Sequence, residues 1–242
     1  MLSHRLAAAR LEPAARRGQK ASMPSPALMV GIAGGSGSGK TRFARALVRQ
    51  LGAERASLIE MDWYYRDLSA LPARERAAAN VDRPEALDIE LLELQLDRLR
   101  SGRAVEAPVY AFGERRRLQR TRTVSPAPFV VVEGLFALAA PSLRGRFDAS
   151  VFIDVPADLR LIRRIRRDLR ERGYSLETIL QAWERQVRPA EQALALPSAA
   201  LAERVWNASE ADASEEAAFA AALAADLEER LASHAKEDNP IG

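Results

Sequence analysis

Gly34-Gly35-Ser36-Gly37-Ser38-Gly39-Lys40-Thr41 is the stretch on which the reading of this 242-residue chain turns. It satisfies the spacing G-x-x-x-x-G-K-[ST], a loop whose glycines let successive backbone N–H groups point inward around a phosphate. Its flanks supply what such a loop needs. Ala27-Leu28-Met29-Val30-Gly31-Ile32-Ala33 is a short apolar run of strand type. Arg42 to Leu51 carries apolar residues at helical spacing, and Gly52 is placed to end that helix. Strand, loop and helix N-terminus together make an anion nest. Lys40 is positioned to reach the outer phosphates and Thr41 to offer its hydroxyl to Mg²⁺, so the octet predicts a nucleoside triphosphate, ATP or GTP, as ligand.

Three more apolar runs end in acids. Ala56–Met61 predicts a second strand that leads into Asp62, Phe129–Val132 a third that leads into Glu133-Gly134, and Ala149–Ile153 a fourth that leads into Asp154. Ligands of open α/β sheets gather beyond the carboxyl ends of the strands. Asp62 is therefore expected near the γ-phosphate, and Glu133 as an acid that holds the metal directly or through water. Asp154 is followed at once by Val155-Pro156, which reads as a turn. The fold class is α/β: a P-loop NTPase fold with a mainly parallel five-stranded sheet wrapped by helices.

Composition removes several classes of function. The chain has no cysteine, which excludes disulfides and thiolate metal sites and suits a reducing, cytoplasmic setting. No apolar run reaches the ~20 residues of a membrane span. The formal charge is +3, but residues 1–26 hold Arg5, Arg10, Arg16, Arg17 and Lys20 against Glu12 alone. The excess therefore lies in a leader expected to be disordered, and the rest of the chain lacks the basic footprint of a nucleic-acid binder. Residues 27–212 are expected to form the P-loop domain and 213–242 a C-terminal helix and tail. In that tail Phe219, Leu223, Leu227 and Leu231 fall on one helical face. Both histidines, His4 and His234, lie outside the central region, so a general base there must be a carboxylate, a lysine or a tyrosine.

Taken in order, several segments make the chain resemble the uridine (uridine–cytidine) kinase family, within the group that includes phosphoribulokinase. They are Gly31–Thr41, Asp62-Trp63-Tyr64-Tyr65-Arg66, Asn80–Asp88, Ala107-Pro108-Val109-Tyr110, Glu133-Gly134-Leu135 and Asp158–Asp168 with Glu171-Arg172-Gly173. The resemblance implies transfer of the γ-phosphoryl group of ATP to a small-molecule hydroxyl, in pyrimidine salvage the 5′-hydroxyl of uridine or cytidine. It implies Asp62 as general base, with Lys40 and Arg167 assisting catalysis. Thr41, Asp62 and Glu133 form the implied Mg²⁺ shell, and Asp82, Tyr65, Tyr110, Arg115 and Arg167 the implied acceptor site. Gly34, Gly35, Ser36, Gly37, Ser38, Gly39, Lys40 and Thr41, with Arg164 and Arg172 from a mobile lid, are the implied nucleotide site. A homotetramer is also implied.

The residues read alone support a phosphate-sensing helix. Seven arginines fall between Arg160 and Arg172. Arg160, Arg163, Arg164 and Arg167 recur at three and four residues, and such crowded like charges are expected to be relieved by a polyanion. Val105–Ser125 reads as an irregular hairpin that closes over the site. This chain departs from the family at the base-contacting positions: Ala111, Arg115, Tyr174 and Ala182 stand where Asp, His, Arg and Gln are usual. Arg115 adds a permanent cation, which suits an acidic or phosphorylated acceptor such as a sugar phosphate. A different acceptor and a non-catalytic nucleotide-binding module are the alternatives to a nucleoside kinase.

Overall fold

The computed structural model describes residues 26–237. The leader expected at residues 1–26 lies, apart from its last residue, outside the described residues, as do the last five residues of the C-terminal tail. In chain order the elements are β1 (Leu28–Gly34), α1 (Lys40–Leu51), β2 (Ala56–Glu60), a 3₁₀ turn over Met61–Tyr64, α2 (Ala73–Ala78), α3 (Ile89–Arg100), β3 (Val105–Ala111) and β4 (Arg116–Val124). There follow β5 (Phe129–Glu133), α4 (Pro141–Arg144), β6 (Ala149–Asp154), α5 (Ala157–Glu171), α6 (Leu176–Ala182), α7 (Arg188–Ala190), β7 (Arg204–Asn207) and α8 (Ala213–Glu237). A widened π turn over Trp183–Val187 joins α6 to α7, and a second over Glu191–Ala195 follows α7, so the segment runs as one continuous helical rod.

Five strands form one sheet in the order β2-β5-β1-β6-β7, and every pairing in it is parallel. The three central strands are apolar and buried along nearly their whole length, as parallel strands covered on both faces must be. Alternate residues serve opposite faces. Met29, Val130, Val132 and Phe152 join Leu92, Leu96 and Leu99 of α3 and the roots of the β3–β4 hairpin. Leu28, Val30, Ile32, Val131 and Ile153 join Phe43 and Leu47 of α1 with Leu223 and Leu227 of α8. The fifth strand, β7, has no counterpart in the apolar runs read from the sequence. Its four residues alternate between partly buried and exposed at the sheet edge.

Register decides what the sheet presents at its carboxyl edge. Ile32 pairs with Glu133, and Glu133 pairs with Glu60, so the ends of β1, β5 and β2 come level. The glycine loop, Glu133 and the turn that bears Asp62 are thereby gathered on one rim. The β3–β4 hairpin forms a separate two-stranded antiparallel sheet with a bulge between Pro108 and Tyr110.

Leu227 is fully buried between α8 and the sheet. Leu227→Ala is expected to cost about 2–5 kcal/mol in urea denaturation. A loss below about 1 kcal/mol would place α8 outside the cooperative core.

Candidate active site

The octet forms the turn between β1 and α1. Gly37 (φ +81°) and Gly39 (φ +93°) occupy the left-handed region open mainly to glycine. The first turn of α5 presses on the same loop. A Cβ on Gly35 would collide with the Arg160 guanidinium, and one on Gly37 with the Arg160 carbonyl. No side chain caps the N-terminus of α1, which leaves its positive end for an anion. The Ser38 hydroxyl is buried in the loop without a hydrogen-bond partner.

Glu133 is 3% exposed. Thr41 Oγ1 donates to its Oε1 at 2.7 Å, while Oε2 is buried and unpartnered. Burial, helped by the Asp62 charge and opposed by Lys40, pushes the Glu133 carboxyl up to about 7. An orphaned carboxylate oxygen beside the Thr41 hydroxyl fits a hard cation. Among the described residues no three of His, Cys, Asp and Glu gather into an all-protein metal cage. Mg²⁺ keeps waters and takes substrate phosphates as ligands, so a single carboxylate with a hydroxyl is a partial set of the kind it accepts.

Asp62 sits on the 3₁₀ turn that follows β2, part-exposed, with its Oδ2 3.8 Å from Arg172 Nη2. The hairpin fixes this turn. Arg117 of β4 donates to the Tyr64 carbonyl at 3.0 Å, to the Tyr65 carbonyl at 2.8 Å and to Asp88 Oδ2 at 3.0 Å. Arg122 lies over the Trp63 ring, 4.0 Å from its centroid.

Three residues along the chain from Asp62, Tyr65 enters a cavity whose lining also includes Asp82, Tyr110, Arg115, Arg164 and Arg172. Six residues read from the sequence thus meet in one place. Tyr65, Tyr110 and Phe112 form an aromatic wall with ring centroids 5.3–5.9 Å apart. Asp82 is buried, and burial raises its pKa against the pull of Arg164. Tyr110 Oη is buried and unpartnered, and burial pushes its pKa up to about 12. Ala182 and Tyr174 also line the cavity, and Tyr174 donates to the Phe112 carbonyl at 3.0 Å. Arg115 holds a left-handed backbone (φ +49°), and its Nη1 donates to the carbonyls of Arg76 and Ala79 at 3.0 and 2.6 Å. Its charge is thus tied to α2. Tyr110, Phe112 and Arg172 also line a larger open basin that contains Thr41, Asp62 and Arg167, so the cavity and the basin share a wall.

The arginines of α5 differ from the expectation that their mutual repulsion awaits an outside polyanion. Asp168 is fully buried among three of them: Arg167 Nε at 2.8 Å, Arg164 Nε at 3.3 Å and Arg172 Nε at 3.4 Å. Arg160 turns away from the basin, donates to the Val155 carbonyl and pairs with the buried Glu191. Arg164 Nη1 donates to Ser36 Oγ at 2.8 Å and lies 3.9 Å from Asp82, which links the glycine loop to the cavity. Sequence reasoning gave Asp168 and Glu191 no role. Asp168 left a signal, being four residues from both Arg164 and Arg172, the spacing of helical ion pairs. Glu191 left none, because its partner Arg160 is remote in the chain.

Comparison with known proteins identifies the family and the fold. The model of the phosphoribulokinase / uridine kinase family matches residues 29–207. A uridine kinase of Chloroflexus aggregans is 46% identical over 162 residues, which cover 67% of this chain and 78% of that protein. A uridine kinase of Shewanella amazonensis is 42% identical over 166 residues, covering the same shares of each. The solved phosphoribulokinase of Rhodobacter spheroides, 19% identical, superposes with a TM-score of 0.57 over 75% of this chain and 71% of its own, and so shares the fold. The chain belongs to the phosphoribulokinase/uridine kinase family and is a phosphotransferase that acts on a hydroxyl.

Proposed function

We propose that the chain transfers the γ-phosphoryl group of ATP, with Mg²⁺, to the 5′-hydroxyl of uridine or cytidine. The observation that carries this reading is the shared wall. A cavity with a buried carboxylate, Asp82, and an aromatic lining opens beside the basin that holds Thr41 and Asp62. Asp82 suits the vicinal hydroxyls of a ribose, and the rings of Tyr65, Tyr110 and Phe112 suit a flat base. The relatives named uridine kinase support the same acceptor. The cation that motivated a phosphorylated acceptor, Arg115, lines the cavity but donates from Nη1 to the Arg76 and Ala79 carbonyls, so that nitrogen is not free for an acceptor.

In this reading the loop amides and Lys40 hold the phosphates. Thr41, Asp62 and Glu133 would hold Mg²⁺, whose charge would offset that of the phosphates. Asp62 orients the acceptor hydroxyl and takes its proton as the new oxygen–phosphorus bond forms and the bond to the departing ADP oxygen breaks. Arg167 and Arg172, preset by Asp168, face the basin and stabilise charge that spreads over the transferring group. Positioning and electrostatics supply most of the acceleration.

Asp62→Asn is expected to retain ATP binding by the loop while kcat with uridine falls at least ~10²-fold in a coupled ADP-release assay. Turnover near the wild-type value would remove Asp62 as base. Lys40→Ala is expected to cost about 3 kcal/mol of transition-state stabilisation, ~10²-fold in kcat/KM. If wild-type protein turns over neither uridine nor cytidine but does turn over a phosphorylated sugar, the acceptor assignment is wrong.

Glu133 gives a pH signature in the ligand-free protein. Its pKa is raised from 4.5 to about 7 by folding. Below the lower value both folded and unfolded chains hold the proton. Between the two values only the folded chain keeps it, so stability falls as pH rises and the loss is complete above the upper value. Glu133→Gln is expected to flatten this slope between about pH 5 and about pH 8 in urea denaturation, with the variant the more stable at the alkaline end. An unchanged slope would assign the pH response to other groups.

A further inference from the structure

Glu191 is the most deeply buried acid that the phosphoryl-transfer scheme leaves without a task, at 1% exposure. Its two oxygens are divided. Oε1 accepts the Ser36 backbone N–H at 2.5 Å, and Oε2 pairs with Arg160. Arg160 also donates from Nε to the Val155 carbonyl at 2.9 Å, and its guanidinium lies 5.5 Å from the centroid of the Trp183 ring. Ser36 is the third residue of the glycine octet. All three of its polar groups are held from one side: the N–H by Glu191, the carbonyl by Arg160 at 3.5 Å and the hydroxyl by Arg164 at 2.8 Å.

The rod that carries Glu191 also lines the acceptor cavity. Thr178, Ala182 and Gln186 line the cavity at four-residue intervals. Glu191 follows Gln186 by five residues on the same rod, at the first residue of its second π turn, and its carboxylate reaches the glycine loop at Ser36.

We infer that Glu191 is a positioning residue for phosphoryl transfer. It fixes the outer strand of the glycine loop through the Ser36 N–H, and Arg160 serves to neutralise and orient its carboxylate. The same rigid rod registers the acceptor cavity against the donor loop. This inference rests on the octet as the nucleotide's cradle and not on the identity of the acceptor.

Removing Glu191 alone would strand the Arg160 charge in the interior, so the test uses charge-free pairs. Arg160→Met/Glu191→Gln retains an acceptor for the Ser36 N–H, and Arg160→Met/Glu191→Met does not. The Gln pair is expected to bind Mg·ATP about tenfold more tightly than the Met pair by calorimetry, the worth of one positioned hydrogen bond. Hydrogen exchange of the segment 34–39 in the ligand-free proteins is expected to be slower in the Gln pair. A role confined to the stability of the ion pair predicts no difference between the two, since both lack it, and equal affinity with equal exchange would overturn the proposal. If neither pair folds, the wild-type protein decides. Its Ser36 amide is expected to be protected from exchange, and exchange at the rate of an open loop amide would overturn the proposal too. Absence of Mg·ATP binding by the wild type would instead refute the cradle, while the exchange comparison would still report on Glu191.

Discussion

The parallel register that sets Ile32 of β1 beside Glu133 of β5 is the constraint on which the site depends. It places a carboxylate with almost no access to solvent next to the hydroxyl that follows Lys40. A shift of that pairing by one residue would turn Glu133 to the opposite face of the sheet. It would also exchange the apolar residues that face α1 for those that face α3. The core and the site therefore enforce one register together, and neither can drift without the other.

Around that fixed rim, charge is organised by buried acids. Asp168 collects Arg164, Arg167 and Arg172, Glu191 holds Arg160, and Asp82 lies near Arg164. Buried pairs of this kind add little net stability, because desolvation offsets most of the attraction. Their effect is geometric. Three guanidinium groups are held in place by one carboxylate, so in the proposed reaction little reorganisation would remain. The same network ties the acceptor cavity to the glycine loop through Arg164, whose guanidinium lies near both Asp82 and Ser36.

Much of this was legible in the chain itself. The glycine octet, the four apolar strands and the acids at their ends are local signals, and the structure realises them within a residue or two. The cavity residues Tyr65, Asp82, Tyr110 and Arg115 came from resemblance, and the fold brings them together. Three things were hidden. β7 is too short, and its alternation too mixed, to stand out from the turns around it. The fate of the arginines depended on partners that only tertiary packing supplies: Arg160 finds Glu191 31 positions later. Arg115, read as a charge for the acceptor, spends its Nη1 on backbone carbonyls of a neighbouring segment, which no local pattern encodes.

Basic side chains are plentiful in this protein, yet almost all are arginines. Lysine occurs three times, as Lys20, Lys40 and Lys236. Lys40, at the first position of α1, is thus the sole side-chain amine over nearly the whole folded span. Guanidinium groups keep their proton throughout the working range and resist acylation, whereas an amine can be acylated. Amine-directed chemistry therefore meets one target over nearly the whole of that span, and that target is the lysine of the glycine loop.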